Sequence, residues 1–356
     1  MATCPVYVLD GGLGTALQDR YGVQFSAGTT PLWSSHLLIN NEQAAVLRRC
    51  QSDFVRAGAD LIETATYQVS AAGLELTGVS SADTGAFLTR AVDVAEGAIA
   101  DAGAKPGDSP ESSRGLRFPG IALSLGPYGA CMVPSTEYSG AYDAAVCSIE
   151  ALCHWHADRL RLFTRVPRLA DRVRFLAFET VPRLDEIRAV RQLYAAPEHI
   201  DPALARLPYW ISCVFPGTND TLPDGTAVAD AVSAMLAPVP GGQRPWGIGI
   251  NCTKISRLNS LVAQYETAVK AYLAASPSTP HPALVLYPDG TNGEVYNTTT
   301  QLWELPPGVA PPTIAWEAQL SSIVRSTAAT GCWSEILVGG CCKATDRDIS
   351  ALQAAL

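Results

Sequence analysis

Two cysteines stand side by side at Cys341 and Cys342, directly behind Gly339 and Gly340, and a third, Cys252, sits in the segment "GINCT" that starts at Gly249. Thiolates are soft ligands, and three of them brought to one point favour zinc. Neighbouring α-carbons lie only about 3.8 Å apart, so Cys341 and Cys342 reach a single ion only where the backbone bends, which Gly339 and Gly340 are expected to permit. The same closeness falls below the roughly 4.4 Å that ordinary disulfides need, which argues against a vicinal disulfide. Three protein ligands leave a tetrahedral ion one position short, as in catalytic rather than structural sites. A zinc ion with three thiolates carries a net charge of about −1, which makes it a poor Lewis acid but a good holder of an incoming thiol in its nucleophilic, deprotonated form. The chemistry expected is alkylation of sulfur, with one Zn2+ per chain as the cofactor.

The elements that must position these thiols alternate along the whole chain. Short apolar runs, "VYVLD" from Val6, "LIETAT" from Leu61, "IALSLG" from Ile121, "RFLAFET" from Arg174, "YWISCVF" from Tyr209, "WGIGIN" from Trp246, "ALVLYP" from Ala283 and "EILVGG" from Glu335, read as strands. Between them helical periodicity predicts helices over 41–57, 82–102, 142–166, 184–194, 228–236, 256–275, 314–330 and 344–356, the first capped by Asn40 or Asn41 and stopped by Gly58. About eight βα units is the number that closes a barrel, so the fold expected is a single (β/α)8 TIM barrel over residues 1–356, with a doubly wound open sheet as the alternative. Stretches near 103–118, 197–207 and 292–312 carry turn formers and read as insertions. Polar chemistry is confined to the carboxyl ends of the strands: Asp10, Gly11 and Gly12; Glu63 onward in "ETATYQ"; Ser124; Glu179 and Thr180; Cys213; Asn251 and Cys252; Asp289; and the paired cysteines. Barrel enzymes build their sites on that rim.

The bulk numbers narrow the partners. A formal charge of −9 over 356 residues, with scattered basic residues, argues against nucleic acid. No stretch approaches the roughly 20 apolar residues of a membrane span and no basic leader precedes a cleavage site, so no membrane partner and a cytoplasmic location are expected. Among ten cysteines, Cys4, Cys50, Cys131, Cys147, Cys153, Cys213 and Cys332 are expected to be small buried hydrophobes. His154 and His156 in "HWH" are two apart on a helix and point to different faces, which disfavours a shared metal. The "GGLGTAL" run at Gly11 lacks the last glycine of a dinucleotide loop.

Taken together, "LDGGLGTAL", "PLWSS" at Pro31, "ETATYQ", "GPYGA" at Gly126, "FET" at Phe178, "GINCT" and "VGGCC" resemble the homocysteine S-methyltransferase family over nearly the whole chain and in the right order. The resemblance implies a zinc-dependent barrel in which the homocysteine thiolate completes the metal's coordination. It implies Cys252, Cys341 and Cys342 as metal ligands, Asp10 and Glu179 as receptors of the substrate ammonium, and the amides around Gly11 and Gly12 as receptors of its carboxylate. Trp33, Ser34, Thr64 and Thr66 would line the pocket, and Asn251 would orient its neighbour Cys252. The segments resemble most the branch using S-methylmethionine or S-adenosylmethionine; Tyr67, Tyr128 or Trp33 could hold such a cation on a ring face. Two departures, Leu123 where the family has glycine and "VPSTEY" at Val133 where it has an acidic segment, bear on the donor. Betaine-type and selenohomocysteine or selenocysteine methyl transfer, a zinc hydrolase, and a non-catalytic zinc or thiol store are the competing readings.

Overall fold

Eight of the apolar runs become parallel strands: β1 (Val6–Val8), β2 (Leu61–Glu63), β3 (Gly120–Leu125), β4 (Phe175–Val181), β5 (Tyr209–Cys213), β6 (Gly247–Lys254), β7 (Ala283–Asp289) and β8 (Ile336–Val338). The structure is a computed structural model, and it describes residues 4–26, 28–103, 119–146, 148–196, 198–291, 293–297, 302–305, 307–308 and 312–356. Its strand order is β1-β8-β7-β6-β5-β4-β3-β2. The two ends meet: Leu9 bridges Leu61, the Asp10 amide donates to the Leu61 carbonyl at 3.0 Å, and the Asp60 amide donates to the Val8 carbonyl at 2.7 Å. The sheet therefore closes into the expected (β/α)8 barrel, and the open-sheet alternative falls.

Strand side chains alternate between two apolar layers. Tyr7, Leu9, Leu61, Ala122, Phe175, Ala177, Trp210, Trp246, Val285, Tyr287 and Leu337 fill the barrel interior, while Val8, Ile62, Leu176, Ile211, Ile248 and Leu284 face the helices. Phe175 meets Trp246 and Trp210 at ring separations of 4.7 and 5.5 Å, which plugs the barrel floor. Gly249 lets β6 lie close against β7, since an added Cβ would stand 1.9 Å from the Val285 carbonyl oxygen.

The helices follow their periodicity, with local corrections at their starts. Helix Asn41–Arg56 is capped by Asn40, whose side chain accepts the Gln43 amide, and Gly58 leaves it at φ 101. The helix expected over 142–166 begins only at Ile149 and ends at Phe163, because Ser148 caps it and Tyr142 is held elsewhere by Glu186. Of the three insertions, 104–118 lies outside the described residues, 202–205 forms one short helical turn, and Val295–Asn297 pairs antiparallel with Leu302–Glu304. Among the described residues no helix is long and apolar enough to cross a membrane. Cys50, Cys153, Cys213 and Cys332 are buried as expected, Cys4 and Cys131 only partly so, and Cys147 lies outside the described residues.

Candidate active site

Cys252 leaves β6 at its carboxyl end, where the pairing with β7 shifts register between Asn251 and Lys254, and it takes a left-handed backbone with φ 46. Cys341 and Cys342 follow β8 in a turn whose left-handed residue is Lys343, at φ 67. Neither Gly339 nor Gly340 has a positive φ, so the flexibility expected of them is not what the turn uses. They are needed for close approach instead: a Cβ at Gly339 would lie 2.6 Å from the Asp10 carbonyl oxygen, and one at Gly340 would lie 2.2 Å from the Ala344 Cβ. Gly11 and Gly12 press on the same turn, where a Cβ would stand 2.4 Å from the Ala344 oxygen and 2.3 Å from the Cys341 oxygen. Backbone bonds from Gly340 to Asp10, from Cys341 to Pro288 and from Gly290 to Cys342 stitch the turn to β1 and β7.

The three sulfurs lie within 4.8 Å of one another. That spacing and an all-sulfur donor set fit a single soft metal ion. Three free thiols were the expectation, whereas here Cys252 and Cys341 are joined as a disulfide. The bond crosses between the end of β6 and the turn after β8, so it is not the vicinal pairing; its sulfurs must be reduced before they can ligate. Cys342 stays a thiol, and burial with the nearby Asp289 pushes it up to about 12 while a hydrogen bond with Tyr138 opposes the shift.

Asn251 is buried and holds the residue that faces Cys252. Its Oδ1 accepts the Thr180 amide at 2.8 Å, its Nδ2 donates to the Thr180 hydroxyl at 2.7 Å, and the same nitrogen lies 3.4 Å from the Cys252 sulfur. Thr180 takes φ 60, which a β-branched residue adopts only when its surroundings force it.

Beside the thiols, three carboxyl groups converge on one buried spot. Asp10 is 1% exposed, and its Oδ2 accepts the Glu63 amide at 2.9 Å. Glu179 is 4% exposed and receives hydroxyl hydrogens from Ser124 and Tyr287. The Glu63 carboxyl bonds to Glu179, and its Oε1 is shut off from water with no partner. Burial raises all three, Asp10 and Glu63 well above the usual carboxylate range and Glu179 to about 7, with mutual repulsion adding to the rise at Asp10 and Glu63. A cluster of this kind is electrostatically incomplete without a cation. Arg183, a conceivable surface partner for Glu179, pairs with Asp185 instead.

Glu63 was not singled out as a site residue in the sequence, yet a signal was present: it shares the inward parity of Leu61, as Ser124 shares that of Ala122 and Glu179 that of Ala177. Arg159, buried on helix Ile149–Phe163, gave no such signal. Its guanidinium donates to the carbonyls of Val69, Thr66, Tyr67 and Gly126, fixing the loops after β2 and β3. His156 of "HWH" meets Glu186 at 3.0 Å, while His154 packs on His199.

Several expected contacts take a different form. Thr64 and Thr66 spend their hydroxyls on each other, on the Ser124 amide and on the Ser124 carbonyl, so they brace β2 against β3 and set Ser124 rather than offer free groups to a pocket. The Gly12 amide donates to the Ala344 carbonyl at 2.9 Å and is not available to a carboxylate. Trp33 packs its ring on Gly14 and against Phe25, and Ser34 is buried beside it. Among the described residues no hydrogen bond or ring contact joins either of them to the thiols or the carboxyl cluster.

Comparison with known proteins bears on the family and the fold. The sequence profile described as homocysteine S-methyltransferase matches residues 7–356. The homocysteine S-methyltransferase of Escherichia coli (strain K12) is 31% identical over 98% of this chain and 94% of its own length. The selenocysteine Se-methyltransferase of Brassica oleracea var. italica is 28% identical over 97% and 87%. Among solved structures, the homocysteine methyltransferase MmuM from Escherichia coli superposes in its metallated form with a TM-score of 0.65 at 27% identity, and in its oxidized form with 0.66 at 28%, each covering 99% of this chain and 96% of that one. A profile match over nearly all of the chain, a relative at 31% identity and a shared barrel lead to one conclusion: the chain belongs to the homocysteine S-methyltransferase family and is a methyltransferase.

Proposed function

We propose that the protein moves a methyl group from a sulfonium donor, S-methylmethionine or S-adenosylmethionine, to the sulfur of L-homocysteine, forming methionine, with zinc held by Cys252, Cys341 and Cys342. The observation that carries this reading is the juxtaposition of three sulfurs within 4.8 Å and a buried carboxyl cluster of Asp10, Glu63 and Glu179, in which the charge of Arg159 reaches Glu179 alone. A small amino acid bearing a thiol and an ammonium group satisfies both at once.

When bound, zinc supplies the means of keeping an acceptor thiol deprotonated at neutral pH. The chain's own residues do the rest. Asp10, Glu63 and Glu179 take the ammonium group, whose N–H donors complete carboxylates that are otherwise in mutual repulsion. Ser124 and Tyr287 fix the Glu179 carboxylate, and Asn251 fixes Cys252 through Thr180. The Gly11 amide, beside the turn that carries Cys341, remains the backbone donor for the substrate carboxylate. A sulfonium departs as a neutral thioether, so the protein needs alignment of the reacting atoms and no general acid.

Methyl transfer should be measured with homocysteine and each donor separately. S-Methylmethionine is expected to yield methionine from both partners, and S-adenosylmethionine to yield methionine and S-adenosylhomocysteine. Cys342→Ala should lose bound zinc and activity together; full activity in a metal-free Cys342→Ala protein would end the proposal. Relatives named for selenocysteine make the selenol analogues the natural second acceptors to assay.

A further inference from the structure

Glu137 follows the cis Val133–Pro134 peptide in the segment that departs from the family pattern, and it is only 7% exposed. Its Oε2 is shut off from solvent and has no hydrogen-bond partner, while Ser135 and its own backbone amide support the carboxylate. Among the described residues no basic side chain forms an ion pair with it. The Glu137 charge is felt at the Cys131 thiol and at three groups of the site: the hydroxyls of Tyr67 and Tyr138 and the thiol of Cys342. Those groups already touch the thiol cluster, since the Tyr138 hydroxyl bonds to Cys342 and the Tyr67 hydroxyl bonds to Thr180, which itself bonds to Cys252. Gly126 presses on the Tyr67 ring, where a Cβ would lie 2.7 Å away, so that ring is held in place. A buried carboxylate with one bare oxygen, near enough to the Tyr67 hydroxyl, to the 44% exposed Tyr138 and to the Cys342 sulfur for its charge to act on them, is incomplete without a cation of its own.

We infer that Glu137, with Tyr67 and Tyr138, forms the seat of the methyl donor's onium centre, separate from the ammonium seat of Asp10, Glu63 and Glu179. The inference rests on the methyltransferase reading and assigns the half of the site that reading leaves open. The single bare oxygen suits an onium better than a hard metal ion, which demands roughly six or more oxygen ligands. An onium carries no N–H to satisfy and is held by diffuse charge and ring faces. The charge balance gives the seat a direction. A lone pair on the acceptor sulfur forms the new S–CH3 bond, the donor's C–S+ bond breaks with both electrons going to the donor sulfur, and the cation becomes a neutral thioether. Glu137 therefore attracts the donor and not its product; the acceptor's thiol proton has already gone to solvent.

Calorimetric titration of the reduced, zinc-loaded protein with S-methylmethionine and with methionine tests this, because the two differ by one methyl and one charge. The wild type is expected to bind S-methylmethionine at least tenfold more tightly than methionine. In Glu137→Gln that preference should fall to about twofold or less, with homocysteine binding within about twofold of the wild type, and Glu137→Asp should restore part of it. A preference that survives in Glu137→Gln, or that the wild type lacks while it binds homocysteine normally, overturns the onium seat and leaves the methyltransferase reading standing. Failure of the wild type to bind homocysteine defeats that reading itself. Should Glu137→Gln not fold, trimethylsulfonium competing with S-methylmethionine on the wild type supports the seat, and its failure to compete overturns it.

Discussion

Asn251 grips Thr180 at both of its polar ends, accepting its amide at 2.8 Å and donating to its hydroxyl at 2.7 Å, across 71 residues of sequence. Through this grip β4, which carries Glu179, and β6, which carries Cys252, are tied together at their carboxyl ends, which joins the carboxyl cluster to the thiol cluster. Asn251→Ala is expected to weaken metal affinity about 10- to 100-fold, as loss of a ligand's supporting bonds typically does. Competition with a chelating dye measures it, and unchanged zinc affinity would show that the grip serves folding alone.

The carboxyl cluster ties stability to pH. Glu179 keeps its proton up to about 7 in the folded state, well above its ordinary value of 4.5, so the native protein binds more protons than the unfolded chain between those limits. Stability of the metal- and substrate-free protein should therefore fall as pH rises from 4.5 to 7, by an amount on the order of 3 kcal/mol from this group. Glu179→Gln should flatten that fall and melt higher than the wild type at pH 8, while losing homocysteine binding. Identical Tm profiles across pH would refute the linkage.

Glu63 belongs to the carboxyl cluster proposed to receive the substrate ammonium. Glu63→Gln removes one acceptor but keeps the backbone amide that holds Asp10, so the fold should persist. Homocysteine affinity should drop by roughly tenfold, in line with the loss of one charge-assisted bond. An unchanged Kd would assign Glu63 a purely structural part.

Metal loading should depend on the redox state of the thiols. With Cys252 and Cys341 joined, only Cys342 can offer a sulfur. Oxidised protein is expected to take up less than a tenth of the zinc bound after treatment with a thiol reductant, by elemental analysis on equal protein. Equal loading of both forms would remove Cys252 and Cys341 from the ligand set.

The contact of the two glycine-rich turns leaves no spare space. Gly12→Ala places a methyl against the Cys341 carbonyl, 2.3 Å away, and one of the two turns must move. A loss of roughly 1–3 kcal/mol in stability is expected from such overpacking, together with weaker zinc binding, by denaturant titration and metal assay. A variant with native stability and metal content would place the two turns further apart than described.

Much of this molecule was readable before folding, because the relevant signals are local. Alternation of apolar residues over a few positions marks each strand, helical periodicity marks each crossover, and eight such units imply closure. Polar residues at strand ends, with Cys252 and the Cys341–Cys342 pair among them, marked the rim and its sulfur chemistry. What no local pattern could decide is which side chains meet across the barrel. The bond from the Glu63 amide to Asp10 spans 53 residues and that from Ser124 to Glu179 spans 55, so the carboxyl cluster exists only through inter-strand register and the closing bridge of Leu9 with Leu61. The same holds for the commitment of the Gly12 amide to Ala344, for the role of Gly339 and Gly340 in close approach, and for the bare oxygen of Glu137. Each depends on distances between separate segments, which chain order does not encode until the sheet closes and fixes them.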